Sequence, residues 1–406
     1  MSLQLVEETT DVGEPIVVIG AGSTGSSIAF HLSVAGRKVV LVDRGEIASG
    51  MTSRSTALVR THYSNELVAK MALYSLRYFK SRSNDTGFVQ NGMVVIAGES
   101  SKSGIQENAL MLERVGVRNE SLDKAQAKKM FPEVNFDDMC DYVLYEPESG
   151  YADPVATAAF YARMARELGA TVLTSVAVNR IESANGNVTS VRLSDGRSIK
   201  ASKIVIATNV WTNKLLEMSG VRSENLLPLW AAAHPVIVYK RPESYQGKAK
   251  VIVADLYQKT YYKPEGRSLL FAGSLDSELD LQRTDPDSPQ SEIPFEFVTS
   301  ASEAISRRIP DMRDGTMHSS YIGMYDMTPD QHPIVDELSH VGLGGAYVCV
   351  GLSGHGFKLC PALGLMCAEM VMEKPSSLFD WKRFSLSRFA RGETFMSKYA
   401  GVGTIA

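Results

Sequence analysis

Apolar positions fall into two patterns: short unbroken runs near both ends of the chain, and looser aromatic stretches between them. Residues 16–19 (IVVI) follow Pro15 and read as a buried parallel strand. Residues 26–35 carry Ile28, Leu32 and Ala35 at helical spacing. Gly36 ends that helix, and residues 38–42 form a second buried strand closing on Asp43. Further on, the spacing predicts a helix over 65–81, a strand over 92–97, helical stretches over 106–116 and 121–130, and a short strand over 142–145. Asp153 and Pro154 open a helix that runs through Leu168, with the acid as cap and proline in the first turn.

Strands follow at 171–173 and 176–181, and the runs 187–193 and 198–200 flank an Asp195-Gly196 hairpin signal. Residues 203–208 (KIVIAT) repeat the buried parallel type. From 229 to 325 the pattern changes to short strands with aromatics, at 236–239, 251–254, 261–263 and 269–272. A polar loop is expected over 276–291 and a helix over 294–308, so this region reads as an antiparallel sheet. A last buried strand, 346–350, leads into a glycine-rich turn and an apolar helix to about residue 373. The reading is an α/β chain of α+β two-domain type, in which a Rossmann-like nucleotide domain (13–90, 151–228 and 327–390) is interleaved with an antiparallel-sheet substrate domain (91–150 and 229–326). A tail, 391–406, follows.

Composition adds limits. The 406 residues, 44% hydrophobic and 22% charged, suit two or three globular domains, and a net charge of −4 argues against nucleic acid as a partner. Four cysteines show neither a CxxC pair nor zinc spacing, and read as buried thiols in a reducing cytoplasm. Residues 1–11 are acidic and lack a signal-peptide pattern. The apolar stretch 347–372 is broken by Gly354, His355, Gly356, Lys358 and Pro361, so no membrane span is expected.

The chemistry begins between the first strand and helix. Gly20-Ala21-Gly22-Ser23-Thr24-Gly25 is a complete GxGxxG. Gly20 permits the turn, Gly22 lets backbone approach a pyrophosphate, and Gly25 lets helix and strand pack. Ser23 and Thr24 stand at the helix N-terminus, where free N–H groups favour phosphate. Asp43, eighteen residues past Gly25, is placed for ribose hydroxyls. The motif admits FAD or NAD, hence also an NAD-dependent dehydrogenase. Residues 44–60 (RGEIASGMTSRSTALVR) tilt the choice to FAD, because a donor-rich loop replaces the next strand and helix. Its candidate contacts are Arg44, Ser53, Arg54, Ser55 and Thr56, with Arg54 read equally as a surface residue.

The second glycine turn, Gly351 to Lys358, includes Gly354, His355, Gly356, Phe357 and Lys358, and suits an isoalloxazine whose developing charge needs N–H groups and a cation. Lys358 sits in the first helical turn, against the dipole. It is either a carboxylate ligand or a lysine reaching solvent. His355 reads as a base or, more readily, as a residue that shapes the turn.

GAGSTG with Asp43, IVIATNVW, MYDMTPDQHPIVD and GLSGHGFKLCPALG together resemble the D-amino-acid oxidase superfamily, nearest the sarcosine oxidase, pipecolate oxidase and fructosyl-amino-acid oxidase branch. The resemblance implies FAD and oxidation of a C–N bond in a small amino acid or N-alkyl amino acid, through an imine that then hydrolyses. It assigns Arg60 and Lys358 to the substrate carboxylate, Tyr325 to the active site, Val178 to adenine, and Asn209 and Trp211 to the dinucleotide. Gly323 stands where sarcosine oxidase carries its flavin-linked cysteine, the 44–57 loop has no histidine and His62 lies beyond it, so FAD is expected to be noncovalent. No lysine falls in 267–274 where that branch activates oxygen, and Lys259 and Lys263 are out of register. The acceptor therefore stays open between oxygen, a quinone and another protein. So does the assembly: a homo-oligomer, or a flavin-bearing subunit of a multi-subunit amine dehydrogenase.

Overall fold

The computed structural model describes residues 13–137, 140–245, 250–288 and 292–395. The readings for residues 1–11, for the end of the polar stretch 276–291 and for most of the tail 391–406 lie outside the described residues. The main elements, in chain order, are β1 (Ile16–Ile19), α1 (Ser23–Val34), β2 (Val39–Val42), β3 (Lys203–Ile206), β4 (Trp230–Lys240), β5 (Thr260–Glu265), α2 (Ser277–Leu281), β6 (Thr316–Met327), β7 (Ala346–Val350) and α3 (Gly356–Val371).

The chain divides into two compact units. The first comprises residues 13–53, 154–229 and 331–394. Its six-stranded sheet runs Ile334–Glu337, β7, β3, β1, β2, Thr171–Leu173. All pairings are parallel except the Ile334–Glu337 edge, and Ile16 stands opposite both Val39 and Lys203. The four apolar runs are buried on both faces, which is why they read as unbroken rather than alternating. The strands Val178–Ala184, Asn187–Leu193 and Ser198–Lys200 form a separate antiparallel sheet, with Gly196 at φ +88° in its turn.

α1 packs against α3 and against the helix Pro154–Glu167. His31, on α1, is half-buried there with its Nε2 enclosed, beside Phe30 at a ring distance of 5.1 Å. Burial drives its pKa from 6.5 down to about 4, opposed by a hydrogen bond with the backbone of Pro361. The unfolded chain therefore binds this proton first as pH falls. Stability is full above the unfolded pKa and is lost between about pH 6.5 and pH 4. On going from about pH 7 to about pH 5, the wild type should lose about 2 kcal/mol more than His31→Gln, read by denaturant titration. Equal losses would remove His31 as the cause.

The second unit comprises residues 54–153, 230–330 and Phe395. Its large sheet runs Arg283–Thr284, β4, Leu269–Ser274, β5, Ile252–Asp255, Met93–Ala97, Tyr142–Glu146, Glu120–Leu122, and β6 also pairs with β4. It is antiparallel except where Ile252–Asp255 runs parallel to Met93–Ala97. β4 and β6 are 11 and 12 residues long, well beyond the short run seen at 236–239. Side-chain alternation gives the sheet two different faces. Ile237, Tyr239, Tyr262, Leu270 and Ala272 point into a core shared with Ala301 and Ile305 of the helix Phe295–Arg308. The other face carries His234, Val236, Tyr261, Tyr321, Gly323 and Tyr325, with His234 opposite Gly323, Val236 opposite Tyr321, and Tyr261 opposite Gly273.

Residues 54–90, expected with the nucleotide domain, lie in the second unit. Leu58–Val59 hydrogen-bonds to Gly150–Tyr151, and the helix Glu66–Ser81, capped by Asn65, packs on Glu99–Val115. The polar stretch expected as a loop contains α2, capped by Asp276, and the strand Arg283–Thr284. All four cysteines are buried free thiols. Among the described residues no helix is long and apolar enough to cross a membrane.

Candidate active-site residues in each unit

In the first unit the turn after β1 leaves no room for side chains. Gly20 has φ +108°, and a Cβ there would overlap the carbonyl oxygen of Ala207. A Cβ on Gly25 would overlap the carbonyl oxygen of Gly20, and one on Gly22 would stand 2.8 Å from Thr52 Oγ1. α1 begins at Ser23, three residues earlier than its apolar spacing suggests, so Ser23, Thr24 and Gly25 form its first turn, which holds no acid. The segment after β2 folds back over this turn. Ala48 N donates to Ala21 O at 3.0 Å, and Ser23 N donates to Thr52 Oγ1 at 3.0 Å.

Asp43 accepts from Ala21 N at 2.6 Å and from Gly45 N at 2.8 Å. Burial pushes its carboxyl above the usual carboxylate range, while those two N–H groups and Arg44 oppose the rise. The Arg44 guanidinium lies 3.9 Å over the Trp211 ring. Asn209, at φ +52°, begins the same turn as Trp211. Val178 opens the small sheet and is buried, and Ser53 Oγ donates to Gly50 O at 3.0 Å.

The second glycine turn bends through Gly351 (φ +66°), Ser353 (φ +44°) and Gly354 (φ +78°) into α3. His355 N donates to Leu352 O at 2.7 Å, and the buried His355 ring lies 6.0 Å from that of His332. Gly356 and Phe357 are buried in the first turn, and Lys358, 8% exposed, donates from Nζ to Gly354 O at 3.0 Å.

In the second unit Arg60 is 5% exposed; its Nη1 donates to the His62 carbonyl, and its Cζ lies 4.5 Å over the Tyr63 ring. The segment behind it is anchored by Glu146, which accepts from Thr61 N at 3.1 Å, Thr61 Oγ1 at 2.8 Å and Ser149 Oγ at 2.8 Å. His62 Nδ1 lies 3.5 Å from the other Glu146 oxygen. Burial alone would raise the Glu146 carboxyl, but His62, Ser149 and Thr61 hold it below its ordinary range. Burial and the neighbouring Tyr261 and Asp280 raise Tyr325 well above the usual phenol, with Arg60 opposing. Tyr261, raised to about 12 by burial, hydrogen-bonds to Thr56 Oγ1 at 3.3 Å. Arg54 and Ser55 also belong here: Arg54 Nη1 donates to Ile322 O at 2.9 Å, and Ser55 Oγ accepts from Ala57 N at 3.0 Å.

A family model described as DAO, FAD dependent oxidoreductase, matches residues 15–370. The chain belongs to this family of FAD-dependent oxidoreductases. Mitochondrial sarcosine dehydrogenase of Mus musculus is 26% identical over 388 residues, which is 91% of this chain but 41% of that protein, so the chain spans less than half the length of this relative. N-methyl-L-tryptophan oxidase of Salmonella enteritidis PT4 is 27% identical over 390 residues, covering 93% of this chain and 99% of that one. Among solved structures, L-proline dehydrogenase from P. horikoshii superposes with a TM-score of 0.85 at 24% identity, covering 94% and 99% of the two chains, and so shares the fold.

The first unit of this FAD-dependent oxidoreductase fits the dinucleotide. An acid-free helix N-terminus faces a turn where a Cβ would intrude, and the buried Thr24 hydroxyl has no protein partner among the described residues. Of the loop donors expected from the sequence, only Arg44 and Ser53 lie in this unit, while Arg54, Ser55 and Thr56 lie in the second. Thr52, not singled out beforehand, is the loop residue that bonds the turn. At Gly323 a Cβ would meet the Arg54 carbonyl at an ordinary 3.5 Å, so packing does not demand glycine there.

Proposed function

We propose that this enzyme oxidises the C–N bond of a small amino acid or N-alkyl amino acid of sarcosine type, with FAD bound noncovalently. FAD supplies the two-electron acceptor to which the substrate's hydride passes. The chain's own residues bind and orient the substrate. Arg60 presents a planar guanidinium suited to a carboxylate, and Lys358 adds a second cation of the same assignment. Tyr261 and Tyr325 provide an aromatic wall that excludes water from the carbon losing hydride. His355 keeps to shaping the second glycine turn. The imine product hydrolyses to a carbonyl compound and an amine or ammonia.

The observation that carries this reading is the buried Arg60, on the unit whose sheet face holds the tyrosines. The His62 carbonyl and the Tyr63 ring hold its planar fork in place, and a fork of this kind is suited to pair with a substrate carboxylate. Two relatives whose names specify sarcosine and N-methyl-L-tryptophan support an N-alkyl amino acid. A second reading, a flavin-bearing part of a larger dehydrogenase with a non-oxygen acceptor, is favoured by the longer sarcosine dehydrogenase.

The purified protein should be yellow, release all its flavin on acid precipitation, and bleach anaerobically with sarcosine, L-proline or N-methyl-L-tryptophan. No bleaching by any of these would overturn the reading. Turnover with oxygen against turnover with a dye, together with mass in solution, separates the two forms of it.

A further inference from the structure

On the site face of the second unit's sheet, His234 of β4 stacks on Tyr325 of β6, with ring centroids 3.8 Å apart and planes at 23°. Its Nε2 lies 3.0 Å from Oδ1 of Asp280 on α2, and both side chains are almost fully buried. α2 is held to the sheet by the Trp230 indole, which donates to the Asp280 backbone carbonyl at 2.7 Å, and its start is capped by Asp276. A carboxylate and an imidazole buried against an aromatic ring are a costly way to fill space. They stand beside the tyrosine that the resemblance assigns to the active site.

Around this pair the charges begin with Arg54, which packs beside Gly323, the residue opposite His234. Asp280 comes from α2. Arg283, from the neighbouring edge strand, lies 5.4 Å over the Trp230 ring. β6 contributes Tyr321 and Tyr325 on this face, while Asp326 points to the other, and Leu269–Ser274 brings no charged residue. Arg60 and Asp280 are the cation and the carboxylate that act on Tyr325. An amino acid presents the complementary pair, a carboxylate for Arg60 and an ammonium for the acid side.

We propose that His234, oriented by Asp280, takes the proton from the substrate's ammonium group beside Tyr325. The proposal rests on the amine-oxidising function above, since an ammonium has no lone pair to support loss of hydride. Nε2 faces the Asp280 carboxylate at 3.0 Å, so Nδ1 is the ring nitrogen assigned to accept. A substrate N–H bond breaks with its electron pair staying on nitrogen, and an Nδ1–H bond forms. The imidazolium charge is held against the Asp280 carboxylate until product leaves and the proton returns to water. No electrons pass through these residues.

The test is anaerobic flavin bleaching against pH, using whichever of sarcosine, L-proline and N-methyl-L-tryptophan bleaches the wild-type holoenzyme fastest. The wild type should show an acid limb. In His234→Gln the rate at neutral pH should fall about 100-fold and the limb should move toward the pKa of the free amine. In His234→Ala added imidazole should restore part of the rate. Acetate, a carboxylate without an amine, should still perturb the flavin spectrum with a Kd within about threefold of wild type, because a general base is not a carboxylate ligand. A wild-type rate and limb in His234→Gln would overturn the proposal, as would loss of acetate binding in parallel with rate, which marks a structural role. If the His234 variants fail to hold FAD, Asp280→Asn decides, because an unmoved limb there also overturns it. A wild type that bleaches with none of the three amines removes the proposed function itself, a different outcome from bleaching with an unshifted limb.

Discussion

Gly25→Ala should give a folded but colourless protein. A Cβ at this position would overlap the carbonyl oxygen of Gly20 and stand 3.3 Å from the Ala207 Cβ. Neither neighbour can retreat. Gly20 is held at φ +108°, with its N–H bonded to Val42 O at 2.8 Å, and Ala207 is tied to β1 through its N–H to Ile19 O at 2.9 Å. The relief left is for α1 to slide from the sheet, which withdraws the first-turn N–H groups from the pyrophosphate. Overpacking of this kind costs about 1–3 kcal/mol in stability, while misplacing several charge-assisted donors, each worth about 1.5–3 kcal/mol, should weaken FAD by more than 100-fold. Flavin absorbance of the purified variant, its far-UV circular dichroism and an FAD titration check this. A yellow variant with wild-type affinity would show that the pyrophosphate lies elsewhere.

That glycine turn was also the most legible part of the sequence, for a physical reason. Strands buried on both faces must be apolar at every position, so β1, β2, β3 and β7 stand out as runs, and the turn between β1 and α1 requires residues without Cβ. The start of α1 was not legible, because Ser23 to Gly25 have no apolar spacing. The start of Glu99–Val115 was hidden in a similar way, since its first six residues are polar or small.

The second unit hides its candidate residues better. β4 passes through three alanines, His234 and Pro235, and the first five residues of β6 are exposed, so neither shows the alternation that marks a half-buried strand. Asp280 lies in a stretch whose composition is that of a loop, yet it is 1% exposed because α2 turns it onto the sheet. A burial that depends on a partner 46 residues away in sequence leaves no local signal. Glu146 is similar: one acid at the end of a strand, whose bonds to Thr61 and Ser149 form only when Leu58–Val59 pairs with Gly150–Tyr151. Arg60 and Tyr325 were found through resemblance, since an arginine and a tyrosine carry no spacing signature of their own, whereas Lys358 also stood out by its place against the helix dipole.

Lys358→Met should raise KM for a carboxylated substrate by roughly 10- to 100-fold, the loss of one charge-assisted hydrogen bond, and leave folding nearly unchanged. The two effects separate because of where the residue sits. As the third residue of α3 its charge opposes the helix dipole, an arrangement that costs about 0.3–1 kcal/mol. Its Nζ bond to the Gly354 carbonyl offsets a similar amount. Methionine keeps the length of the buried stem and removes both contributions, so the melting temperature should move little. A methyl ester of the same substrate has no carboxylate for the lysine to hold, and its KM should be the same in wild type and variant. If acid and ester lose affinity equally, Lys358 shapes the turn rather than binding the carboxylate. If neither changes, Arg60 holds the carboxylate without it. A KM that rises for the acid alone, at constant flavin content, is the expected result.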